Sequence, residues 1–455
     1  MLRKLLLNRV GVPVAERLRG WPVSRYLREL LEAQNWPPQR IRATQDARLA
    51  ALVQHAYETV PFYKRLFDSR GLTPDDVRTA DDLPKLPILT KQDMRDNLQD
   101  LVSTAYDASR LAVLSSSGST GEPFRYYMSE DERARKWAAL YRLWRWAGYE
   151  MGDRFVNVAV APHRAFRSNK LWMCLESRLS GMLALSASEL YEHTAEEYLR
   201  RVVRFRPTMV RGYASSLYYL AEVQAQRGLY MRAKCVCTTG ETLFDFQREL
   251  IEDAYGCRVY DGYGGEGMVI AGQCGHGDGY HTSGDILIVE IVDSQGNRCP
   301  PGVEGQVVLT DLMRYSMPFI RYNIQDVAAL SDEVCSCGMG LPVLTKLSGR
   351  LTDIGVTPSG KSIVVHFFTG MFMKMAPDVD GFQVVQERPD LFILNIVPGR
   401  DFGKVKQEIL DKTREYVGPD VEVQINLTDS IPLTSAGKRR LFISKCGVKA
   451  AGGLG

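Results

Sequence analysis

The stretch "AEEYLRRVVRFRPTMVRGYA", residues 195–214, decides the fold class. Its first part has the spacing of an amphipathic helix, and the part that begins at Thr208 is a short apolar segment. The same alternation recurs from about residue 130 to 255, where helix-like runs such as "DERARKWAALYRLWRWAGY" separate the apolar segments "RFVNVAV", "GMLALSA" and "RAKCVCTT". Helices that alternate with short buried strands predict an α/β sheet with helices on its faces.

The sequence pattern changes from alternating helices and strands to successive strands downstream of this region. Residues 284–330 contain strand-like segments separated by turns, namely "DILIVEIVDSQGN", "EGQVVLTDL" and "PFIRYNIQDVAAL". We interpret them as a mainly antiparallel β subdomain. Beyond residue 350, the strand-like "GFQVVQE", "LFILNIVPG" and "VEVQINLTD" surround the helical "VKQEILDKTREYV". A tail of roughly 100 residues is long enough to form a small α+β domain of its own.

Composition excludes several classes of partner. With 57 Lys plus Arg against 54 Asp plus Glu, the net charge of +3 is too balanced for a nucleic-acid-binding surface. No apolar run approaches the roughly 18 residues of a membrane span, and no signal peptide is recognisable. We therefore expect a cytoplasmic protein with reduced cysteines. The basic N-terminal stretch "MLRKLLLNRVGVPVAERLRG" leaves peripheral membrane contact open, beside the simpler interpretation of a solvated helix face.

The segment "LSSSGSTGEPFRYYMS", residues 114–129, is rich in glycine and hydroxyl residues. Such a run lets backbone N–H groups converge on phosphate oxygens, although similar runs also form ordinary solvated turns. It is not a Walker A loop, because Gly118 and Gly121 enclose only two residues and no lysine follows. Glu122 stands where a cation would be expected, so a phosphate bound here needs positive charge from elsewhere in the chain.

A second glycine-rich stretch, "GYGGEG" at residues 262–267, satisfies the dinucleotide pattern G-x-G-x-x-G. That fingerprint must open a helix whose N-terminus faces the pyrophosphate. Here further glycines follow within a few residues, so we reject a dinucleotide site.

The cysteines suggest a metal site. Cys335 and Cys337 lie in the polar "SDEVCSCGMG", and Cys274 lies in "GQCGHGDGYH" together with His276 and His281. Thiolates and an imidazole from two such loops predict a four-ligand tetrahedral zinc site. Cys235 and Cys237 form a Cys-x-Cys pair in an apolar setting, and we interpret them as inert core thiols.

Six motifs occur in an order that resembles the adenylate-forming (acyl-CoA synthetase) superfamily, in particular the phenylacetate-CoA ligase and CapK-like subgroup. "SSSGSTGEP" is similar to the polyphosphate loop, "CTTGETL" to the adenine-side segment and "YDGYGGEG" to the Tyr-Gly-x-x-Glu motif. "RYNIQD" resembles the ribose-binding segment, "LSGRLTD" the hinge and "IPLTSAGKRR" the terminal lysine loop. With "VPFYKRLF" and "LPKLPILTKQDMR", typical of the CapK-like subgroup, the resemblance covers nearly the whole chain.

The resemblance implies a role for each motif. Glu266 would bind Mg²⁺, Asp326 would accept from the ribose hydroxyls with Arg350 close to the same sugar, and Lys438 would pair with the substrate carboxylate and the α-phosphate. The nucleotide would contact the phosphate loop and the segments that flank the adenine and ribose: Ser115, Ser116, Ser117, Gly118, Ser119, Thr120, Gly121, Thr239, Gly240, Glu241, Asp261, Tyr263 and Asp326.

By position in the family, Tyr213, Ala214 and Tyr263 would line the acyl pocket, unless they are ordinary core residues. Some members of the subgroup carry a structural zinc site in the corresponding region, which favours Cys274, Cys335 and Cys337 as ligands. His281 is preferred to His276 because it directly precedes a strand-like segment.

The resemblance implies a domain of residues 1–348, a hinge at 349–353 and a mobile C-terminal domain of residues 354–455. The hinge departs from the family's commoner Gly-Arg-x-Asp-Asp, so either Thr352 or Asp353 could be its pivot.

The expected activity is ATP-dependent conversion of an aryl or small carboxylic acid to an acyl-adenylate. The acyl group would then pass to coenzyme A, or alternatively to the amine of a sugar or amino acid. A non-catalytic nucleotide-binding scaffold is the least favoured interpretation. The expected cofactors are ATP, Mg²⁺ and structural Zn²⁺, and the sequence leaves a monomer or a homodimer open.

Overall fold

The computed structural model describes residues 16–17, 20–115, 125–159, 181–190, 192–277, 279–350, 354–359, 361–373, 375, 378–432 and 440–446. The chain divides into two compact units, Met1–Leu347 and Ser348–Gly455. The predicted hinge pivots, Thr352 and Asp353, lie outside the described residues, so the hinge stays a prediction.

The described part of the first unit starts with helices and a hairpin: α1 (Val23–Ala33), α2 (Pro38–Thr59), α3 (Pro61–Arg70), α4 (Lys91–Asp96), β1 (Ala112–Ser115) and β2 (Arg125–Met128). Proline occupies the first position of α2 and of α3, where its fixed φ favours the helix and no N–H is needed. The antiparallel hairpin pairs Ser115 with Arg125. The predicted phosphate loop therefore connects two paired strands.

Helix α5 (Glu130–Trp146) follows, and a capping box at Ser129 and Glu132 begins it. The Glu132 carboxylate also accepts hydrogen bonds from the backbone N–H groups of Tyr315 (2.8 Å) and Ser316 (2.7 Å). One buried side chain thus caps α5 and ties its N-terminus to a loop almost two hundred residues away in sequence.

A parallel half-sheet comes next: β3 (Phe155–Ala159), β4 (Met182–Ser186), α6 (Glu192–Phe205), β5 (Met209–Gly212), α7 (Ala214–Arg227), β6 (Cys235–Thr239), α8 (Asp245–Tyr255) and β7 (Val259–Gly265). The strands lie in the order β4-β3-β5-β6-β7, all parallel. The α/β alternation predicted from the sequence is confirmed. Cys235 and Cys237 are buried in β6, in agreement with core thiols.

The antiparallel strands continue this sheet and do not form a separate layer: β8 (Met268–Gln273), β9 (Tyr280–Thr282), β10 (Leu287–Val292), β11 (Gly305–Asp311), β12 (Tyr322–Leu330) and β13 (Val343–Arg350). The complete order of the eleven strands is β10-β11-β12-β13-β9-β8-β7-β6-β5-β3-β4. Strand β7 pairs parallel with β6 and antiparallel with β8. The sheet therefore changes character at β7, which carries most of "YDGYGGEG". Because that stretch forms a hairpin and opens no helix, it is not a dinucleotide fingerprint.

Helix α5 packs closely against the sheet at this point. A Cβ atom at Gly272 of β8 would lie 2.0 Å from Leu143 Cδ2, so only glycine permits the contact. One residue earlier on the helix, Arg142 donates to Asp285 at 2.8 Å, and both side chains are at most 1% exposed. Arg142 also has two guanidinium nitrogens, Nε and Nη2, without a partner. The ion pair with Asp285 is therefore the main interaction that compensates the charge of this fully buried guanidinium.

The second unit contains β14 (Ile354–Val356), β15 (Ser362–Val364), α9 (Val365–Met373), β16 (Val379–Arg388), β17 (Leu391–Pro398), α10 (Phe402–Val417), β18 (Glu422–Leu427) and β19 (Phe442–Ser444). Its four-stranded sheet has the order β18-β17-β16-β19. Helix α10 buries Ile409 and Val417, and the Tyr416 ring stacks on Phe367 with centroids 3.7 Å apart. These elements make the small α+β domain expected from the sequence.

Removing Arg142 tests how firmly α5 is held. Arg142→Met leaves Asp285 as an unpaired buried carboxylate, and we expect the free energy of unfolding to fall by about 3–5 kcal/mol. All six tryptophans lie before residue 348, so tryptophan fluorescence during urea unfolding reports on the first unit alone. Arg145→Met, at an exposed position of the same helix, is the control. Equal unfolding midpoints for both variants would contradict this role of the ion pair.

Candidate active site and metal centre

The carboxyl ends of parallel strands β5, β6 and β7 meet beside α5 and enclose a cavity of about 220 Å³. Ligands of open α/β sheets bind at such ends, particularly where the strand pattern changes. The cavity is lined by side chains of α5 and by backbone and side chains of β5 to β8: Lys136, Leu140, Leu143, Trp144, Arg211, Cys237, Thr238, Thr239, Tyr260, Asp261, Gly262, Tyr263, Gly264, Gly265, Gly267, Met268, Val269 and Gln273.

Two motifs that are distant in sequence meet at this cavity. The Tyr263 hydroxyl of β7 donates to Asp326 Oδ2 of β12 at 2.7 Å. Asp326 is buried, and it follows Gln325, whose φ of 68° is unusual for a residue other than glycine. The "RYNIQD" segment thus presents its carboxylate to Tyr263 of "YDGYGGEG". In that stretch one residue, and not two, separates Gly264 from Glu266, which is a departure from Tyr-Gly-x-x-Glu.

Asp261 of β7 is held by side chains of the strands β6 and β9. Its carboxylate accepts from the hydroxyls of Thr238 (2.5 Å) and Tyr280 (2.8 Å). Burial raises its pKa even though both hydrogen bonds favour the charged form. Two hydroxyl donors therefore fix the orientation of this carboxyl group at the edge of the cavity.

Glu266 occupies the turn between β7 and β8. Its φ is 46°, and Gly267 beside it has φ 82°, so the tight turn uses two left-handed residues. The buried carboxylate pairs with Lys91 of α4, with Nζ to Oε1 at 3.6 Å, and Arg314 donates to the Glu266 carbonyl at 2.7 Å. A buried carboxylate on a fixed turn provides the oxygen ligand that a magnesium ion requires.

The residues predicted to line the acyl pocket divide into two groups. Tyr263 lines the cavity. Tyr213 is the N-cap of α7, packed against a helix-covered hydrophobic cluster, and Ala214 is fully buried as the first residue of that helix. Glu241, predicted to contact the adenine, accepts from the Ser215 N–H at 2.9 Å and so caps the same helix.

Two cations line the cavity that the sequence motifs did not indicate. Arg211 of β5 donates to Asn157 at 2.8 Å and lies over the Trp144 ring at 5.7 Å from its centroid. Lys136 projects from α5, and burial, together with neighbouring guanidinium groups, lowers its pKa to about 8. An arginine inside the short apolar strand "TMVRGYA" was the available signal, since a charge in a buried strand needs a reason.

The other predicted residues are distributed as follows. Ser115 is at the end of β1, Thr239 ends β6 at the cavity, and Gly240 follows it. The backbone of Arg350 belongs to β13. The predictions for Ser116, Ser117, Gly118, Ser119, Thr120, Gly121 and Lys438 lie outside the described residues.

Four predicted metal ligands converge beyond β8 and β9. The ligand atoms of Cys274, His281, Cys335 and Cys337 all lie within 4.8 Å of one another. Cys274 Sγ is 3.7 Å from Cys335 Sγ, and Cys337 Sγ is 3.2 Å from His281 Nε2. Two sulfurs bonded to tetrahedral zinc at about 2.3 Å stand about 3.8 Å apart, so the cluster has the size of a zinc site.

The histidine of this cluster is His281. Its Nδ1 lies 3.2 Å from the Leu341 carbonyl, a contact that leaves Nε2 to face the thiols. Burial lowers the pKa of His281 and keeps the ring neutral, as a metal ligand must be. His276 is exposed at the surface of the same loop. The geometry therefore favours His281 between the two histidines.

The chain is similar to known proteins in sequence and in fold. Residues 356–445 match the family model of the CapK C-terminal domain. Phenylacetate-coenzyme A ligase from Thermus thermophilus is 27% identical over 398 residues, 86% of each chain, and protein CapK from Staphylococcus aureus is 22% identical over 414 residues, 88% of each chain. The chain thus resembles both proteins along most of its length.

The fold of the chain is also similar to that of a solved CoA ligase. A crystal structure of 2-hydroxyisobutyryl-CoA ligase in the postadenylation state superposes with a TM-score of 0.72 at 22% identity, covering 90% of this chain and 91% of that one. The chain thus has the fold of the adenylate-forming CoA ligases, as its six motifs predicted. None of the described helices is long and apolar enough to cross a bilayer. The basic stretch at the N-terminus lies mostly outside the described residues.

Proposed function

We propose that this protein is an AMP-forming ligase that activates a carboxylic acid with ATP and passes the acyl group to coenzyme A. The observation that carries the proposal is the Tyr263–Asp326 hydrogen bond, which joins "YDGYGGEG" to the ribose segment "RYNIQD" beside the cavity. The similarity to phenylacetate-coenzyme A ligase from Thermus thermophilus over 86% of the chain supports the same reaction class.

The first step joins two anions. A carboxylate oxygen attacks the α-phosphorus of ATP, the bond from that phosphorus to the bridging oxygen breaks, and pyrophosphate leaves. This reaction depends on positioning and charge neutralisation. Asp326, oriented by Tyr263, would accept from the ribose hydroxyls, and donors of the segment Ser115–Thr120 would hold the β- and γ-phosphates.

Glu266 would hold Mg²⁺ on the turn after β7. Bound there, the ion would supply positive charge at the phosphate oxygens. Lys91 already pairs with this carboxylate and is a second source of positive charge close to the phosphates. In the second step, the thiol sulfur of coenzyme A attacks the acyl carbonyl, the carbonyl–phosphate oxygen bond breaks, and AMP leaves.

Transfer to an amine is the second candidate, because CapK matches 88% of the chain. The two candidates share adenylation and differ only in the acceptor. We expect a thioester when the enzyme, ATP and a pool of acids are incubated with coenzyme A, and little amide when amino sugars or amino acids replace it. Mass spectrometry of both mixtures makes the comparison, with ATP omitted as the control. Amide formation without thioester would establish the alternative.

Lys438 is the proposed adenylation lysine, carried by the second unit. Lys438→Ala should slow pyrophosphate release about a hundredfold, the effect of losing one preorganised electrostatic contact. Consumption of synthetic acyl-adenylate with the acceptor should stay close to normal, because that step begins after the α-phosphate bond has formed. Asp326→Ala is the contrasting variant and should impair both steps. Equal losses in the two assays for Lys438→Ala would show that one fixed arrangement performs both reactions.

We further propose that Cys274, His281, Cys335 and Cys337 bind one structural zinc ion. Four protein ligands would close its coordination sphere and leave no position for a reacting group. The ion would fasten the loop after β8 to the loop before β13, and thereby hold the antiparallel half of the sheet together.

Metal analysis tests the zinc site with a matched pair of variants. His281→Ala should lose zinc and lower the midpoint of thermal unfolding, whereas His276→Ala should retain both the metal and the midpoint. A Cys335→Ser Cys337→Ser variant should behave like His281→Ala, and Cys299→Ser, outside the cluster, like the wild type. Wild-type protein without zinc, or a double variant of full thermal stability, would refute the proposal.

A further inference from the structure

The cavity beside α5 contains more positive charge than adenylation explains. Lys136 and Arg211 both line it, and among the described residues no hydrogen bond or ion pair joins the Lys136 ammonium to another group. Arg211 donates to Asn157, an uncharged amide. Other charged groups that act on Lys136 are the guanidinium groups of Arg314 and Arg133, which have the same sign.

The acid that also lines the cavity does not neutralise these cations. Asp261 is engaged by the hydroxyls of Thr238 and Tyr280, and burial raises its pKa. The groups that act electrostatically on Arg211 are the Cys237 thiol and the Tyr213 phenol, and neither is a carboxylate. Both side chains are only partly exposed, and charges withdrawn from water are ordinarily paired, so two cations in one cavity leave a place for an anion from outside the protein.

The position of Arg211 separates this charge from the reacting end of the cavity. In the sheet, Arg211 pairs with Cys237, the first residue of the adenine-side segment, and Thr239 ends strand β6 two residues further on. Two residues along a strand correspond to about 6–7 Å. Arg211 therefore lies about that far before the end of the strand, and its hydrogen bond to Asn157, its register partner on β3, directs it toward β3 and away from β7.

We propose that the acid activated by this protein carries a second anionic group, which Lys136 of α5 and Arg211 of β5 bind inside the cavity. The inference rests on the proposed acid-activating function and specifies its substrate class. A cavity of about 220 Å³ is somewhat larger than the roughly 150 Å³ that accommodates benzene. One ring with two small substituents, or a short chain with two acidic ends, has the right size. Trp144 and Tyr260 offer aromatic surfaces between the ends.

Matched pairs of acids test this assignment. We would measure ATP-dependent pyrophosphate release with benzoate against isophthalate and terephthalate, phenylacetate against 4-carboxyphenylacetate, and pentanoate against glutarate. Within at least one pair, kcat/KM should be about tenfold to a hundredfold higher for the diacid, the effect of a charged hydrogen-bonded contact. Lys136→Met and Arg211→Met should each abolish most of this ratio, because the loss of kcat/KM falls mainly on the diacid. Arg200→Met, an exposed cation on α6, is the control.

The pH dependence supplies a readout that a merely structural role would not affect. Since Lys136 loses its proton as the pH rises through about 8, the diacid preference of the wild type should decline between pH 7 and 9. A guanidinium stays charged over this range, so Lys136→Arg should retain its preference at pH 9. A preference that falls equally in both proteins would contradict the assignment to Lys136.

The outcomes separate this inference from the proposed function. Equal turnover of monoacids and diacids, with ratios unchanged in Lys136→Met, overturns the second anionic group and leaves acid activation intact. Equal loss of both acids in Lys136→Met shows that the cations bind the reacting carboxylate, which also overturns it. Calorimetric binding of a diacid and not its monoacid, without pyrophosphate release from any acid, upholds the charge recognition and overturns the ligase function.

Discussion

The contact between Leu143 and Gly272 is the constraint on which the site depends, because it fixes how closely α5 approaches the sheet. Glu132 anchors the start of this helix to the loop at Tyr315 and Ser316, and Arg142 anchors its last third through Asp285. Between these anchors the helix presents Lys136 and Leu140 to the cavity, and Leu143 and Trp144 follow directly after Arg142. A side chain at residue 272 would force Leu143, which also lines the cavity, to move. The chemistry of the cavity is thus built on a position that carries no side chain at all.

The two polar clusters of the first unit differ in what they leave unsatisfied. The Cys and His cluster contains the four ligands of a closed tetrahedral site, and the Leu341 carbonyl already orients the ring of His281. In the cavity, by contrast, the carboxylates of Asp261 and Asp326 are satisfied by hydroxyls while the cations face open space. A metal site whose ligands all come from the protein stabilises the loops that carry them. Charged side chains without a protein partner in a cavity instead select the ligand that binds there. The same physical rule, that charge withdrawn from water needs a partner, underlies the structural role proposed for one cluster and the recognition role proposed for the other.

Sequence patterns predicted those parts of the protein that depend on neighbouring residues in the chain. The alternation around residues 195–214 indicated the parallel strands, and six ordered motifs indicated the reaction class, because each motif is a local backbone arrangement with its own spacing. The continuity of the eleven-stranded sheet was missed, since a strand's texture does not show which strand lies beside it. Lys136 and Arg211 were missed for the same reason: "KWAALY" looks like any amphipathic helix until the sheet is placed against it. Tyr213 and Ala214, nominated from position alone, lie at the start of α7, where Tyr213 caps the helix and Ala214 is buried.

The reversal of strand direction at β7 has an evolutionary consequence. The side chains proposed to choose the acid, Lys136 and Arg211, come from α5 and the parallel half of the sheet, whereas Glu266 and Asp326 belong to the antiparallel half and its first turn. Mutation and selection can therefore act on the two sets almost independently. A lineage can exchange one acid for another by altering Lys136 or Arg211, while Glu266 and Asp326, proposed to act on Mg²⁺ and the ribose, remain unchanged in the other half of the sheet. A single sheet with one change of strand direction thus allows the substrate-selecting residues to vary on one side of β7 while the other side is kept.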